Sequence, residues 1–247
     1  MGPRLRQWIA AFAATNVGRG LLVAVAVERP AVLAEVLGWR QARDARIALE
    51  DWPEGRVAFE DVAPLVLSSS AANRGLASMR LDEIAYLWRI AVDAGPATLI
   101  EIGRERGGST VVLATAMSPQ ATLWSFDPQT KLGNDAFDRE LGAVLQRFGL
   151  TDRVNLIAED SHRADLPAGE YALVLIDGDP SVEGARLDFQ RFGRRLRVGG
   201  LALFHDATPG APRAKQLAPL LSEIEDEPGF ARRLDVGTFA VFSREAG

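Results

Sequence analysis

From residue 97 onward, short apolar runs alternate with longer stretches of helical spacing. The runs ATLIEI (97–102), TLWSFD (122–127), VNLIAED (154–160), YALVLIDG (171–178), LALFHD (201–206) and GTFAVFSR (237–244) read as strands. Between them, 109–117, 135–149, the face Val182, Ala185, Phe189, Phe192 and Leu196, and 212–226 read as helices. Such alternation predicts an α/β fold with a mostly parallel sheet covered by helices on both faces. Just before it, Leu81, Ile84, Ala85, Trp88, Ala91 and Val92 share one helical face, with Asp82 and Glu83 suited to the N-terminal dipole and Gly95-Pro96 as the stop. Residues 1–75 read as mostly helical, starting with Leu5, Trp8, Ile9 and Phe12 and broken by Pro30, Pro53 and Pro64. The spacing therefore predicts a helical N-terminal extension (1–75), serving as a lid or as subunit contacts, and an α/β domain (76–247).

Composition narrows the classes. Of 247 residues, 47% are hydrophobic and 25% charged, which suits an ordinary globular core. A net charge of −5 argues against nucleic acid as a partner, since that needs a basic face. The absence of cysteine removes disulfide and thiolate chemistry and fits a cytoplasmic protein. Arg4 and Arg6 before WIAAFAA faintly resemble a signal peptide, but Asn16 and Arg19 interrupt the run. LLVAVAV (21–27) is too short to cross a bilayer, so a packed helix is expected rather than membrane insertion.

The candidate chemistry sits at strand ends, where open α/β sheets bind ligands. Glu101, Asp127, Asp160-Ser161, Asp177 and His205-Asp206 all stand at such ends, on successive strands. After the first strand, Gly103 and Gly107 allow a tight turn and close approach to a ligand. A phosphate-binding P-loop would need Gly-Lys-Ser/Thr, and a dinucleotide loop G-x-G-x-x-G; EIGRERGGST has neither. Glu101 disfavours a diphosphate and suits a cationic amine, while Asp127 can accept from two ribose hydroxyls. Together these describe S-adenosylmethionine.

EIGRERGGST, FDP, AEDSH and LVLIDGDPSVEGARLDFQRFGRRLRVGGLALFHD, in that order, resemble the motifs of class I S-adenosylmethionine-dependent methyltransferases. The resemblance is to the branch of macrocin O-methyltransferase and cephalosporin hydroxylase-like proteins, and covers about 76–243. It implies a Rossmann-like, mostly parallel seven-stranded sheet. By position, Glu101, Gly103 and Ser109 would meet the methionine part, Gly107 would shape that loop, Asp127 would hold the ribose, and Asp160 and Ser161 the adenine. Asp177 and Asp206, with His205, would ligate a divalent cation, expected to be Mg²⁺, that acidifies a substrate hydroxyl.

Two positions depart from the branch. Its usual Asp-Gly-x-His becomes Asp-Gly-Asp-Pro, so Pro180 replaces the expected general base. The metal pair reads His205-Asp206, where acid-acid or acid-amide is usual. His205 could be the base, with Asp177 beside it, or a nitrogen ligand favouring a transition metal. It could also be a structural histidine, and Asp177 a helix cap. His162, the other histidine, falls beside the expected adenine. The expected activity is O-methylation of a small sugar, glycoside or natural product by a homo-oligomer. The alternatives are a metal-dependent, hydroxylase-like enzyme and a silent cofactor-binding subunit.

Overall fold

The computed structural model describes residues 52–68, 76–128 and 135–247, together with Leu21 and Ala24. The expected helix at Leu5–Phe12 lies outside these residues.

Helices α1 (Phe59–Ser68) and α2 (Leu81–Asp93) come directly before the first strand. Then follow β1 (Thr98–Ile102), α3 (Gly108–Ala116), β2 (Thr122–Phe126), α4 (Asp135–Arg147), β3 (Val154–Ile157) and β4 (Tyr171–Ile176). After them come α5 (Val182–Arg191), a 3₁₀ turn (Gly193–Arg195), β5 (Leu196–Phe204), α6 (Ala214–Glu225), β6 (Phe230–Arg232) and β7 (Ala240–Arg244). The seven strands lie in the order β3-β2-β1-β4-β5-β7-β6. The first five are parallel, and β7 is antiparallel to both β5 and β6.

Alternation along each strand builds two cores. Leu99, Leu123, Leu173, Leu175, Leu203 and Val241 face one side, with the apolar residues of α2 and α3. Ile100, Ile102, Val174, Ile176, Phe204 and Phe242 face the other, with Phe189 of α5 and Leu217, Leu220 and Leu221 of α6. Phe59, Val62, Ala63 and Val66 of α1 belong to the first core. Phe59 meets Trp88 edge-on at 5.7 Å between centroids, so this stretch of the expected extension packs into the α/β body. Among the described residues, no helix is long and apolar enough to cross a membrane.

Three local readings need correction. Val92 of α2 is 52% exposed, although its spacing placed it on the apolar face. β5 begins at Leu196, not 201, and runs through Gly199-Gly200, where the expected helix and turn stood. A Cβ on Gly200 would lie 2.9 Å from the Arg197 carbonyl oxygen and 3.0 Å from that of Tyr171, so glycine lets this interior strand continue. β6, three residues long, has no sequence signature.

Candidate functional site

Strand order reverses between β1 and β4, with β2 on one side and β5 on the other. Beyond the carboxyl ends of these strands lies a cavity of about 560 Å³. Gly103, Ser109, Asp127, Asp160, Ser161, Asp177, His205 and Asp206 all line it, so eight of the residues singled out at strand ends or after them meet in one place.

The loop between β1 and α3 sets the first wall. Gly103 has φ 86°, and a Cβ there would lie 2.4 Å from the Asp177 carbonyl oxygen. No other residue fits, and the β1 loop is thereby pressed against the end of β4. Asp127 binds the same loop from β2: its Oδ2 accepts the amide protons of Arg104 at 3.0 Å and Glu105 at 2.9 Å. Behind it, the buried Arg104 guanidinium donates to the carbonyls of Ser125 and Ile157 and to Asp138.

Glu101 stands elsewhere than expected. It shares strand parity with Leu99 and so faces α3, fully buried, off the cavity wall. Ser109 donates to its Oε1 at 2.5 Å, and Thr110 and Ser125 donate to Oε2 at 2.6 and 2.5 Å. Burial pushes its carboxyl pKa up, and the three hydroxyls pull against that. Its contribution is to hold Ser109, which does reach the cavity. Gly107 is likewise buried off the wall; it starts α3 in the left-handed region at φ 83°.

The second wall is the turn after β3. Asp160 Oδ1 accepts the His162 amide at 2.9 Å, and Ser161 Oγ donates to Asp188 Oδ1 at 2.7 Å. His162 Nε2 lies 3.3 Å from that same oxygen. Burial lifts Asp188 to about 6, against the pull of Ser161 and His162. Arg191 ties the turn down through the carbonyls of Ser161 and Ala164.

The third wall is charged. His205 is 5% exposed, with Nδ1 3.2 Å from Asp177 Oδ2 and 3.8 Å from Asp206 Oδ2. Its Nε2 lies 3.7 Å from Glu83 Oε2 on α2. Neither nitrogen makes an aligned hydrogen bond. Burial alone would lower the imidazole pKa; Asp177 and Glu83 outweigh it and raise it to about 10. Glu83 is held at about 2, because His205 and the amides of Arg80 and Thr238 outweigh its own burial. Burial raises Asp206, whose backbone is left-handed at φ 57°. Arg213 Nη1 stands 3.8 Å from Asp177 Oδ1.

Residues 100–207 match a protein family described as a methyltransferase domain. The solved structures add the fold. The chain resembles the O-methyltransferase from Bacillus cereus in complex with S-adenosylhomocysteine, at 18% identity and TM-score 0.55, over 69% of this chain and 84% of that one. It resembles S-adenosylhomocysteine-bound Podospora anserina methyltransferase PaMTH1 at 18% identity and TM-score 0.56, over 70% and 81%. It also resembles the O-methyltransferase TomG of Streptomyces achromogenes, in complex with S-adenosylmethionine, at 14% identity and TM-score 0.55, over 70% and 83%. No curated protein matches. The stretch from 100 to 207 is thus similar in sequence to a methyltransferase domain, and the fold around it is that of the solved methyltransferases.

Pro180 lines the cavity, at the position where the branch resembled by the sequence would present a histidine. Among the described residues, no group of three or more His, Asp and Glu side chains stands ready-made for a metal ion. Two carboxylate oxygens lie within 3.8 Å of a buried imidazole nitrogen that has no hydrogen-bond partner.

Two residues escaped the sequence reading. Glu83 sits at a helix start, where an acid ordinarily serves the dipole, and no local pattern marks it as buried. Asp188 did carry a signal: it lies three residues after Ala185 and four before Phe192, inside the apolar stripe of α5.

Proposed function

We propose that the chain transfers the sulfonium methyl of S-adenosylmethionine to a hydroxyl oxygen of a small molecule. The observation that carries this reading is one cavity at the reversal of strand order, with Asp127 on one wall and Asp177 and Asp206 on another. The cofactors named with the Bacillus cereus and Streptomyces achromogenes O-methyltransferases support it. A net charge of −5 and a cavity of about 560 Å³ favour a small acceptor over nucleic acid.

On this reading Asp127 binds the ribose, the 160–162 turn holds the adenine, and Asp177 meets the methionine amine. The acceptor enters beside Asp206. Its oxygen gives up a proton and forms the new O–C bond as the S–C bond breaks. The electron pair stays on sulfur, and S-adenosylhomocysteine leaves. Positioning the oxygen in line with the methyl is the largest part of the work. Burial makes Asp206 a better proton acceptor than a solvated carboxylate. His205 keeps its proton between its carboxylates, and in that form it stabilises developing negative charge rather than acting as the base. Only with a divalent cation in place of that proton would His205 be neutral; Asp177, Asp206 and His205 would then be the residues to hold the cation, and it would supply a lowered hydroxyl pKa.

A second reading, a cofactor-binding protein without catalysis, is favoured by Pro180, which offers no proton acceptor. Methyl transfer from labelled cofactor to a panel of sugars, glycosides and catechols separates the two. Labelled product on a hydroxyl supports transfer; cofactor binding without product on any acceptor, at any added metal, supports the second reading.

A further inference from the structure

We propose that Asp188 is a positioning residue for base recognition: it accepts the Ser161 hydroxyl hydrogen, so that Ser161 can only accept from a ligand in the cavity and selects a base with an exocyclic amine. The inference rests on the reading that the 160–162 turn holds the adenine.

Asp188 lies on α5, fully buried behind the cavity wall rather than on it, and no step of methyl transfer uses it. Its Oδ1 accepts from Ser161 Oγ at 2.7 Å. His162 Nε2 stands 3.3 Å from that oxygen and 3.3 Å from the Gly184 carbonyl oxygen. Among the described residues, Asp188 Oδ2 has no hydrogen-bond partner. Turning the Ser161 hydroxyl away would therefore leave a buried acid without its hydroxyl donor, which is costly. The backbone of the turn is fixed as well. Arg191 donates to the carbonyls of Ser161 at 3.0 Å and Ala164 at 2.7 Å, and the Asp160 carbonyl accepts the amides of Arg163 and Ala164.

A hydroxyl has one hydrogen and two lone pairs. With the hydrogen committed to Asp188, Ser161, which lines the cavity, offers acceptance alone. The ring nitrogens at the edge of a glycosylated adenine are acceptors too, and its exocyclic amine is the only N–H donor. The pair that forms is therefore amine to Ser161 Oγ. A base with a carbonyl in place of that amine would bring lone pairs against lone pairs. Asp160 on the same wall also accepts, so a change in preference, rather than the preference itself, isolates Ser161.

The test is titration calorimetry at about pH 8, where Asp188 is ionised. The ligands are S-adenosylhomocysteine and S-inosylhomocysteine, in which oxygen replaces the amine. They are titrated into the parent, Ser161→Ala and Asp188→Leu. The parent should prefer the adenosyl compound, and the preference should fall by about tenfold in both variants, the equivalent of one hydrogen bond. In Ser161→Ala the fall should come from weaker adenosyl binding. In Asp188→Leu it should come from stronger inosyl binding, because the freed hydroxyl can turn and donate to the carbonyl. A merely structural Asp188 would weaken both ligands alike, and an unchanged ratio in Asp188→Leu overturns the proposal. Removing a buried acid can cost the fold; Ser161→Ala then decides alone, and an unchanged ratio there overturns the proposal too. A parent that binds both ligands equally also overturns it while leaving the cofactor site intact. A parent that binds neither overturns the cofactor reading and this proposal with it.

Discussion

Glu101 and Glu83 are both buried carboxylates beside the same cavity, yet the protein stabilises them by opposite means. Glu101 is surrounded by three neutral hydroxyls from α3 and β2. Its pKa is pushed up by burial. Glu83 faces the His205 imidazole and two amides, and is held at about 2. The surroundings of Glu101 are therefore hydroxyl dipoles, and those of Glu83 are paired charge and backbone amides. The first kind of surrounding needs only shape; the second depends on every charged member staying in place.

The sharpest way to break this contrast is to replace each acid by its amide. Glu83→Gln strips the partner from a buried imidazolium and should cost about 3–5 kcal/mol of stability, the usual penalty for breaking a buried pair. Next in size is Gly103→Ala. It forces a left-handed backbone on a Cβ that collides with the Asp177 carbonyl, and roughly 3 kcal/mol should be lost. Glu101→Gln should cost only about 1–2 kcal/mol, because rotating hydroxyls can accept as well as donate. Denaturant melts of the three variants check the order; a Glu101→Gln loss as large as that of Glu83→Gln would erase the contrast.

The contrast also has a readout in pH dependence. Burial raises Asp188 from its ordinary 3.8 to about 6, so the folded protein holds that proton more tightly than the unfolded chain. The associated stability is fully present below 3.8 and is lost as pH rises through about 6. Asp188→Asn should flatten the melting temperature of the protein across that window. An unchanged slope would mean that Asp188 is already ionised in the folded state.

The sequence made the fold and most of the cavity legible for one reason. Strand ends are marked by an apolar run that stops at a polar residue, and a parallel sheet gathers such ends at one edge. Asp127, Asp160, Asp177 and His205-Asp206 could be found that way. Parity would have corrected Glu101, since a residue two after Leu99 must face α3. Glu83 was out of reach. Its contact with His205 spans more than a hundred residues and depends on how α2 meets the loop before β7, which no local pattern encodes. β6 is too short to show alternation, and the Gly199-Gly200 pair resembles a turn until Tyr171 is seen beside it.

The central claim is that the cavity holds S-adenosylmethionine through Asp127. Titration calorimetry with S-adenosylhomocysteine on the parent and on Asp127→Asn tests it most directly. The parent should bind one equivalent. The variant should lose about 1.5–3 kcal/mol of affinity, the worth of a charge-assisted hydrogen bond. No heat from the parent, equal affinity in the variant, or binding of NAD in place of the homologue would contradict the account.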